Sequence, residues 1–283
     1  MSAIAPVMNG QAVRMRKPMV NPSLIRAVTA IGAFLILWEV GARSEEWFGF
    51  TVPWVGLVPA PTAVLVAWGP LLADPGYWQS WWLSFARVLA GFIAAMIIGI
   101  PLGLWIAVSR LFRGMAFPVF EILRPIPPLA WVPASIIFWP TQEMSIAFVT
   151  FLGAFYTVVI NVVGGAQSID SRYIQAAKSM GSSGMDIFRR IILPGTLPSI
   201  FIGAAVGMGI TWEVVVAAEM ISGGGSSMGG SGGGLGFFIW NSYVGGSYEQ
   251  IVVGMISIGI AGYLSSTAIR ALGQRFTPWL SSR

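Results

Sequence analysis

Residues 174–194 read IQAAKSMGSSGMDIFRRIILP, with a Lys, two Arg, an Asp and several Ser gathered around Gly181. Almost everything around it is oily. Apolar runs of about 20 residues flank the segment, the length a helix needs to cross the hydrocarbon core of a bilayer. Read as the polar connection between two spans, the segment fixes the class as an all-α, polytopic membrane protein. Composition agrees, since the 283 residues are 55% hydrophobic and only 10% charged. Their mean hydropathy is +0.76, whereas soluble domains carry about 25% charged residues.

Working outward, six spans are expected, at about residues 24–43, 88–108, 121–140, 145–163, 200–221 and 251–272. The second, VLAGFIAAMIIGIPLGLWIAV, should bend at Pro101. The third, EILRPIPPLAWVPASIIFWP, carries Pro at 125, 127, 128, 133 and 140 and is too broken for a straight helix. It reads either as the lining of a path or as an ordinary kinked span. Trp47, Trp54, Trp68, Trp78, Trp81 and Trp82 recur among prolines in 44–86, the signature of short interfacial helices.

Residues 1–23 form a polar tail whose Arg14, Arg16 and Lys17 also suit the n-region of a signal peptide, with Val40, Gly41 and Ala42 as a weak cleavage site. The run beyond carries Trp38 and Glu39 and is retained here as the first span. A Gly/Ser-rich external loop is expected at about 222–248 and a connecting loop at about 164–198, inside a single membrane domain of 24–283.

With the N-terminus inside and six spans, both termini and all Lys and Arg except Arg43 and Arg87 fall on the cytoplasmic side. This is the positive-inside distribution. The basic pI near 10 is thereby explained by span flanks, and no nucleic-acid partner is implied. The chain has no Cys and no His, which removes disulfides, His-based metal centres and Ser-His catalysis. Lys178 and Ser179 would need Gly at 177 to end a Walker A loop, but Ala177 stands there. No metal site, cofactor site or catalytic residue is assigned.

In the opening segment, Asp170 or Ser171 can cap a helix that ends at Gly181, and Ser182 or Ser183 can cap a second that stops at Leu193 and Pro194. Met185, Ile187, Phe188, Ile191 and Ile192 give this second helix an apolar side, with Arg189 and Arg190 left polar. Such an element either rests on the inner leaflet or lies in a groove on a partner protein.

Gln175, Ala176 and Ala177, then Gly181, then Ile191, Leu193 and Pro194 follow the Glu-Ala-Ala, three residues, Gly, nine residues, Ile-x-Leu-Pro pattern. The segment thus resembles the cytoplasmic loop of importer-type ABC transporter permeases. LVPAPTAV, FEILRPIPPLAWVP, PGTLPSIFIGAAVGMGI, VVAAEMI and GLGFFIWNSY extend the resemblance over 24–280, to permeases of the nitrate, taurine, alkanesulfonate and bicarbonate importers. Two departures stand out: Gln175 replaces the usual Glu, and the Gly/Ser stretch from Ser222 to Gly234 is long.

The resemblance implies the importer-type permease fold in a bacterial inner membrane. It implies a second permease copy about a two-fold axis, two ABC ATPase subunits that bind Mg-ATP, and an external substrate-binding protein. Residues 172–190 become the coupling region. Among pathway candidates, Arg87 and Arg124 are placed to attract an anion, or else serve as anchors or salt-bridge partners. Pro125, Pro127 and Pro128 would line the inner path, with Thr211 and Asn241 as polar contacts. Glu213 and Glu219 sit within the fifth span, about 240° apart around the helix. Glu219 reads as a gate contact or as an interhelical hydrogen-bond partner. A proton-coupled secondary transporter or channel using either carboxylate is the alternative reading.

Overall fold

In the computed structural model, residues 22–222 and 233–280 are described. The tail at 1–21, most of the Gly/Ser stretch at 223–232 and the last residues at 281–283 lie outside them, and so do the expectations placed there. The chain divides into a unit ending at Thr62 and a unit beginning at Ala63.

The first unit holds α1 (Pro22–Ala42) and α2 (Ser44–Phe48). Phe34, Ile36 and Leu37 of α1 are exposed, as a lipid-facing helix requires. Its C-terminal end is tied down by Glu39, which accepts from Arg43 Nε at 2.6 Å and from the Thr62 backbone N–H at 3.0 Å. α3 follows at Pro61–Leu71.

In the second unit, α4 (Pro75–Val108), α7 (Gln142–Gln167), α10 (Leu193–Ser222) and α12 (Tyr248–Phe276) are the long apolar helices. With α1 they make five helices of membrane-crossing length and composition among the described residues. The helices overrun the expected spans. α4 begins thirteen residues before 88 because Asp74 caps it, its Oδ1 accepting from Gly76 N at 2.9 Å, with Pro75 in the first helical position. Trp78, Trp81 and Trp82 therefore belong to α4 rather than to separate interfacial helices. At about 1.5 Å per residue α4 is about 51 Å long, more than a hydrocarbon core alone.

The third expected span is not one helix. After α5 (Arg110–Leu123), capped by Ser109, the chain makes a 3-10 turn at Pro128–Trp131 and the short α6 (Val132–Phe138). Eleven helical residues reach only about 16 Å. The cause is local: Pro125, Pro127, Pro128 and Pro133 lack the donors a continuous helix needs. The six expected spans are thus five long helices and one broken segment. A second difference lies in the expected external loop, where α11 (Leu235–Val244) forms and buries Leu235, Ile239 and Ser242. The segment GLGFFIWNSY is a packed helix.

α7 sits between α4 and α10. Gly91, Ala95, Gly99 and Gly103 recur every four residues along one face of α4. A Cβ at Gly103 would meet Val162 at 2.8 Å, and one at Gly91 would strike the Thr150 side chain. From the other side, a Cβ on Gly203 would lie 2.6 Å from Asn161, and one on Gly207 3.3 Å from Ala154. Without a hydrophobic drive between helices in lipid, such small-residue stripes let backbones approach until dispersion holds them. Val149, Val158, Val159 and Val162 of α7 are fully enclosed as a result. On the far side of α10, Trp212 donates its indole N–H to Ser265 of α12 at 3.0 Å.

Gly91→Ala should lower the thermal midpoint of the detergent-solubilised protein by an overpacking cost of about 1–3 kcal/mol. Gly114→Ala, in α5, meets nothing within 4 Å and should be neutral or stabilising. Equal midpoints for the two variants would refute the close-approach account.

Candidate functional site

The glycine corner is built by α7's end and two short helices. The Asp170 carboxylate caps α8 (Ser171–Ser179), accepting from Arg172 N at 2.9 Å and Arg172 Nε at 2.8 Å. Those hydrogen bonds, the side-chain one foremost, hold the Asp170 carboxyl below its usual range. The helix closes at Gly181, whose φ of +80° is left-handed. Gly181 N–H donates to Lys178 C=O and Ser182 N–H to Ala177 C=O, each at 3.0 Å. This pair of bonds is a Schellman closure, and a β-carbon at 181 would strain it. Ser183 and Asp186 then form a reciprocal capping box for α9 (Gly184–Ile187).

The second helix does not stop at Leu193 and Pro194. A π turn at Phe188–Ile192 joins α9 to α10, with Leu193 N–H donating to Phe188 C=O. The wider turn accommodates Pro194, whose ring would otherwise crowd the carbonyl four residues earlier. The chain from 184 to 222 is therefore helical throughout.

Ala177 and Ile187 are buried beneath this corner, while Gln175, Ala176, Gly181, Arg189 and Arg190 are exposed. Ile191, Leu193 and Pro194 are half-buried. Of the expected apolar side, Met185 instead faces out, as do Tyr173 and Met180. A groove of about 740 Å³ runs beside them, lined among others by Tyr173, Ala176, Met180, Ile191, Pro194 and Trp279.

The candidates inside the helical body separate into three places. Arg124 and Pro128 meet in one pocket with Tyr156 and Thr157 of α7, and Arg124 also pairs with Glu121 at 3.3 Å. Pro125 and Pro127 are exposed nearby in sequence. Thr211 is buried and donates to Gly207 C=O at 2.8 Å, within its own helix. Asn241 lines a different cavity, at the opposite end. Glu213 and Glu219 do face apart: Glu213 is exposed and Glu219 enclosed.

Glu219 belongs to a buried ionic clasp. Arg87 Nη1 donates to Glu219 Oε1 at 2.9 Å and to Gly233 C=O at 2.6 Å, and Arg87 Nε donates to Glu143 Oε2 at 2.8 Å. Glu219 also accepts from the Ser84 hydroxyl at 2.8 Å and from Gly236 N at 2.9 Å. Ser84 in turn accepts from Leu235 N at 2.8 Å. Four helices, α4, α7, α10 and α11, are joined in one network. Of the roles read for Arg87, the structure displays the salt-bridge partner, its charge matched by two carboxylates. Ser84, Glu143 and Gly236 were not singled out from sequence, although Ser84 and Arg87 stand one turn apart on a single helix face.

Long apolar helices packed through small residues, with a broken proline segment and a capped glycine corner at one end, make a multi-pass, all-helical membrane protein. The chain belongs to the family of binding-protein-dependent transport system inner membrane components, whose model matches residues 99–282. The nitrate import permease protein NrtB of Synechocystis sp. is 33% identical over 267 residues, 91% of each chain. The taurine transport system permease protein TauC of Escherichia coli is 33% identical over 206 residues, covering 73% of this chain and 72% of TauC. In fold, the chain is similar to an inward-facing structure of the MetNI methionine ABC transporter, with a TM-score of 0.58, 22% identity, and coverage of 74% of this chain and 97% of that one.

Arg87→Met leaves the buried Glu219 carboxylate without its cation and should destabilise the protein by about 3–5 kcal/mol. Adding Glu219→Gln, which keeps an acceptor for Ser84 and Gly236, should restore much of that loss. Thermal unfolding followed by tryptophan fluorescence measures both, and a double variant no better than the single would contradict the clasp.

Proposed function

We propose that this ABC importer permease forms the path for a small anion, of the kind of nitrate, bicarbonate, taurine or an alkanesulfonate, across a bacterial inner membrane. An external binding protein delivers the solute. Two copies of the chain, embedded in lipid, enclose the path about a two-fold axis, and two ATPase subunits drive it from the cytoplasm. The relatives named for nitrate and taurine support the solute class. The chain itself contributes no ATP chemistry; Mg-ATP belongs to the partner subunits.

The carrying observation is the glycine corner. Gln175, Ala176 and the exposed Tyr173, Met180 and Met185 offer a surface a partner can cover, while Ile191, Leu193 and Pro194 lead from it into α10 without a break in helix. Gln175 approaches the ATPase as a hydrogen-bonding amide rather than as an ion-pair partner. Closure of the ATPase pair on ATP moves the corner, and α10 carries that motion into the body, exposing the path alternately to either side. On the path, Arg124 and Pro128 face the anion from the pocket beside α7, with the exposed Pro125 and Pro127 next to them in sequence and Thr211 and Glu213 as further contacts on α10. A proton relay through Glu219 is less well supported, because its carboxylate is held by Arg87, Ser84 and Gly236.

Gly181→Val should abolish ATP-driven uptake in vesicles that hold the permease, its ATPase and binding protein, while the chain still inserts. The ATPase should lose its stimulation by loaded binding protein. Uptake at the wild-type rate, or uptake driven by a pH gradient with no ATPase present, would overturn the reading.

A further inference from the structure

At the end of the helical body opposite the glycine corner, the first turns of α4, the face of α11 and the start of α12 border an open cavity of about 410 Å³. Its polar lining is Gln79, Ser80, Asn241, Ser242, Ser247 and Gln250. Among the described residues, no charged side chain lines it. The cleft between α10 and α12 differs, since its wall is mainly the apolar Phe201, Ile202, Ala205 and Val206, with Arg270, Gln274 and Thr277 beside them. Six neutral hydroxyl and amide side chains thus line one cavity of a chain that is otherwise mostly apolar.

We propose that this cavity is a receiving site for a small polyatomic anion, a second station that rests on the importer reading above and extends it. Amide N–H groups of Gln79, Asn241 and Gln250 and the hydroxyl of Ser247 can donate to several oxygens of one anion at once, while the Ser80 hydroxyl donates to Gly76 C=O at 3.0 Å. Fixed dipoles without a fixed cation hold it weakly, which suits a site that must release its occupant. Carboxylates stand near the cavity: Asp74, which accepts from the lining Gly76 N–H at 2.9 Å, and Glu249, next to Gln250. They weaken an anion's hold further, in keeping with a site that must release its occupant. The volume also fits, since a water molecule's share of the liquid is about 30 Å³, leaving room for a four- or five-atom anion with part of its shell.

The clasp sets the geometry of one wall. Leu235 N is fixed on Ser84 and Gly236 N on Glu219, so the first turn of α11 is anchored to α4 and α10. Asn241 and Ser242 lie within two turns of that anchor.

The absence of Cys makes a direct test available. Asn241→Cys places a single thiol in the cavity, and Leu72→Cys places one at the exposed end of α3. Both are labelled in vesicles of the full transporter by a membrane-impermeant thiol reagent, with nitrate, bicarbonate or methanesulfonate added against chloride at equal ionic strength. One or more of the polyatomic anions should slow labelling of Asn241→Cys along a single-site curve, about five-fold at four times Kd. It should leave Leu72→Cys unchanged, and adding Gln250→Leu to Asn241→Cys should remove the protection. Labelling that follows chloride and the three anions alike, or that none of them slows, overturns the site. ATP-driven uptake in the wild-type vesicles reads the importer function separately. Uptake without protection sinks the receiving site alone, and protection without uptake sinks the importer reading alone.

Discussion

The close approach of α4 and α10 to α7 is the constraint on which the other features rest. In hydrocarbon a helix satisfies its own backbone and gains nothing by hiding apolar side chains from lipid, so association needs contact at short range. Gly91, Gly99 and Gly103 on one flank and Gly203 and Gly207 on the other supply it by removing β-carbons from the contact line. Once those three helices are fixed, Ser84, Arg87, Glu143 and Glu219 come within hydrogen-bonding distance from three separate elements. The clasp is a consequence of the packing, and it then positions the fourth element, α11, through two backbone donors.

Buried ions in such a place need full pairing. Arg87 is 6% exposed yet meets two carboxylates and a carbonyl, and Glu219 is met by a guanidinium, a hydroxyl and an amide. Glu143 remains half open to solvent at the start of α7, so the excess negative charge of the group sits where water can screen it. The enclosed pair itself is neutral, which is the arrangement a low-dielectric interior tolerates.

Much of this was legible in the sequence where local chemistry decides. Asp170, Gly181 and Ser183 were readable as cap, closure and cap because each acts on backbone groups within a few residues. The all-helical membrane class followed from apolar runs alone, and the opposite facing of Glu213 and Glu219 from helical periodicity. What could not be read depends on distant partners or on compensation. The passage of helix through Pro194 needs a π turn that no propensity announces. The start of α4 at Pro75 was hidden by tryptophans that mark an interface equally well when they belong to a long helix. The pairing of Arg87 with Glu219 joins residues 132 positions apart, beyond any local pattern.

The same geometry constrains how motion can travel. From Gly184 to Ser222 the backbone is helical throughout, and α10 alone spans about 45 Å at about 1.5 Å per residue. Its first turns lie beside the exposed corner and its last turn carries Glu219, so a displacement at one end reaches the other through a single element rather than a chain of loops. The π turn at Phe188–Ile192 is the departure from regular hydrogen bonding at its head, and the Gly181 closure precedes it. The departures from regular α-helix are therefore gathered at the corner, and one unbroken helix runs behind it. The far end of that helix is bolted, through Glu219 to Arg87 and Ser84, to α4, and through Glu219 to Gly236, to the α11 wall of the polar cavity.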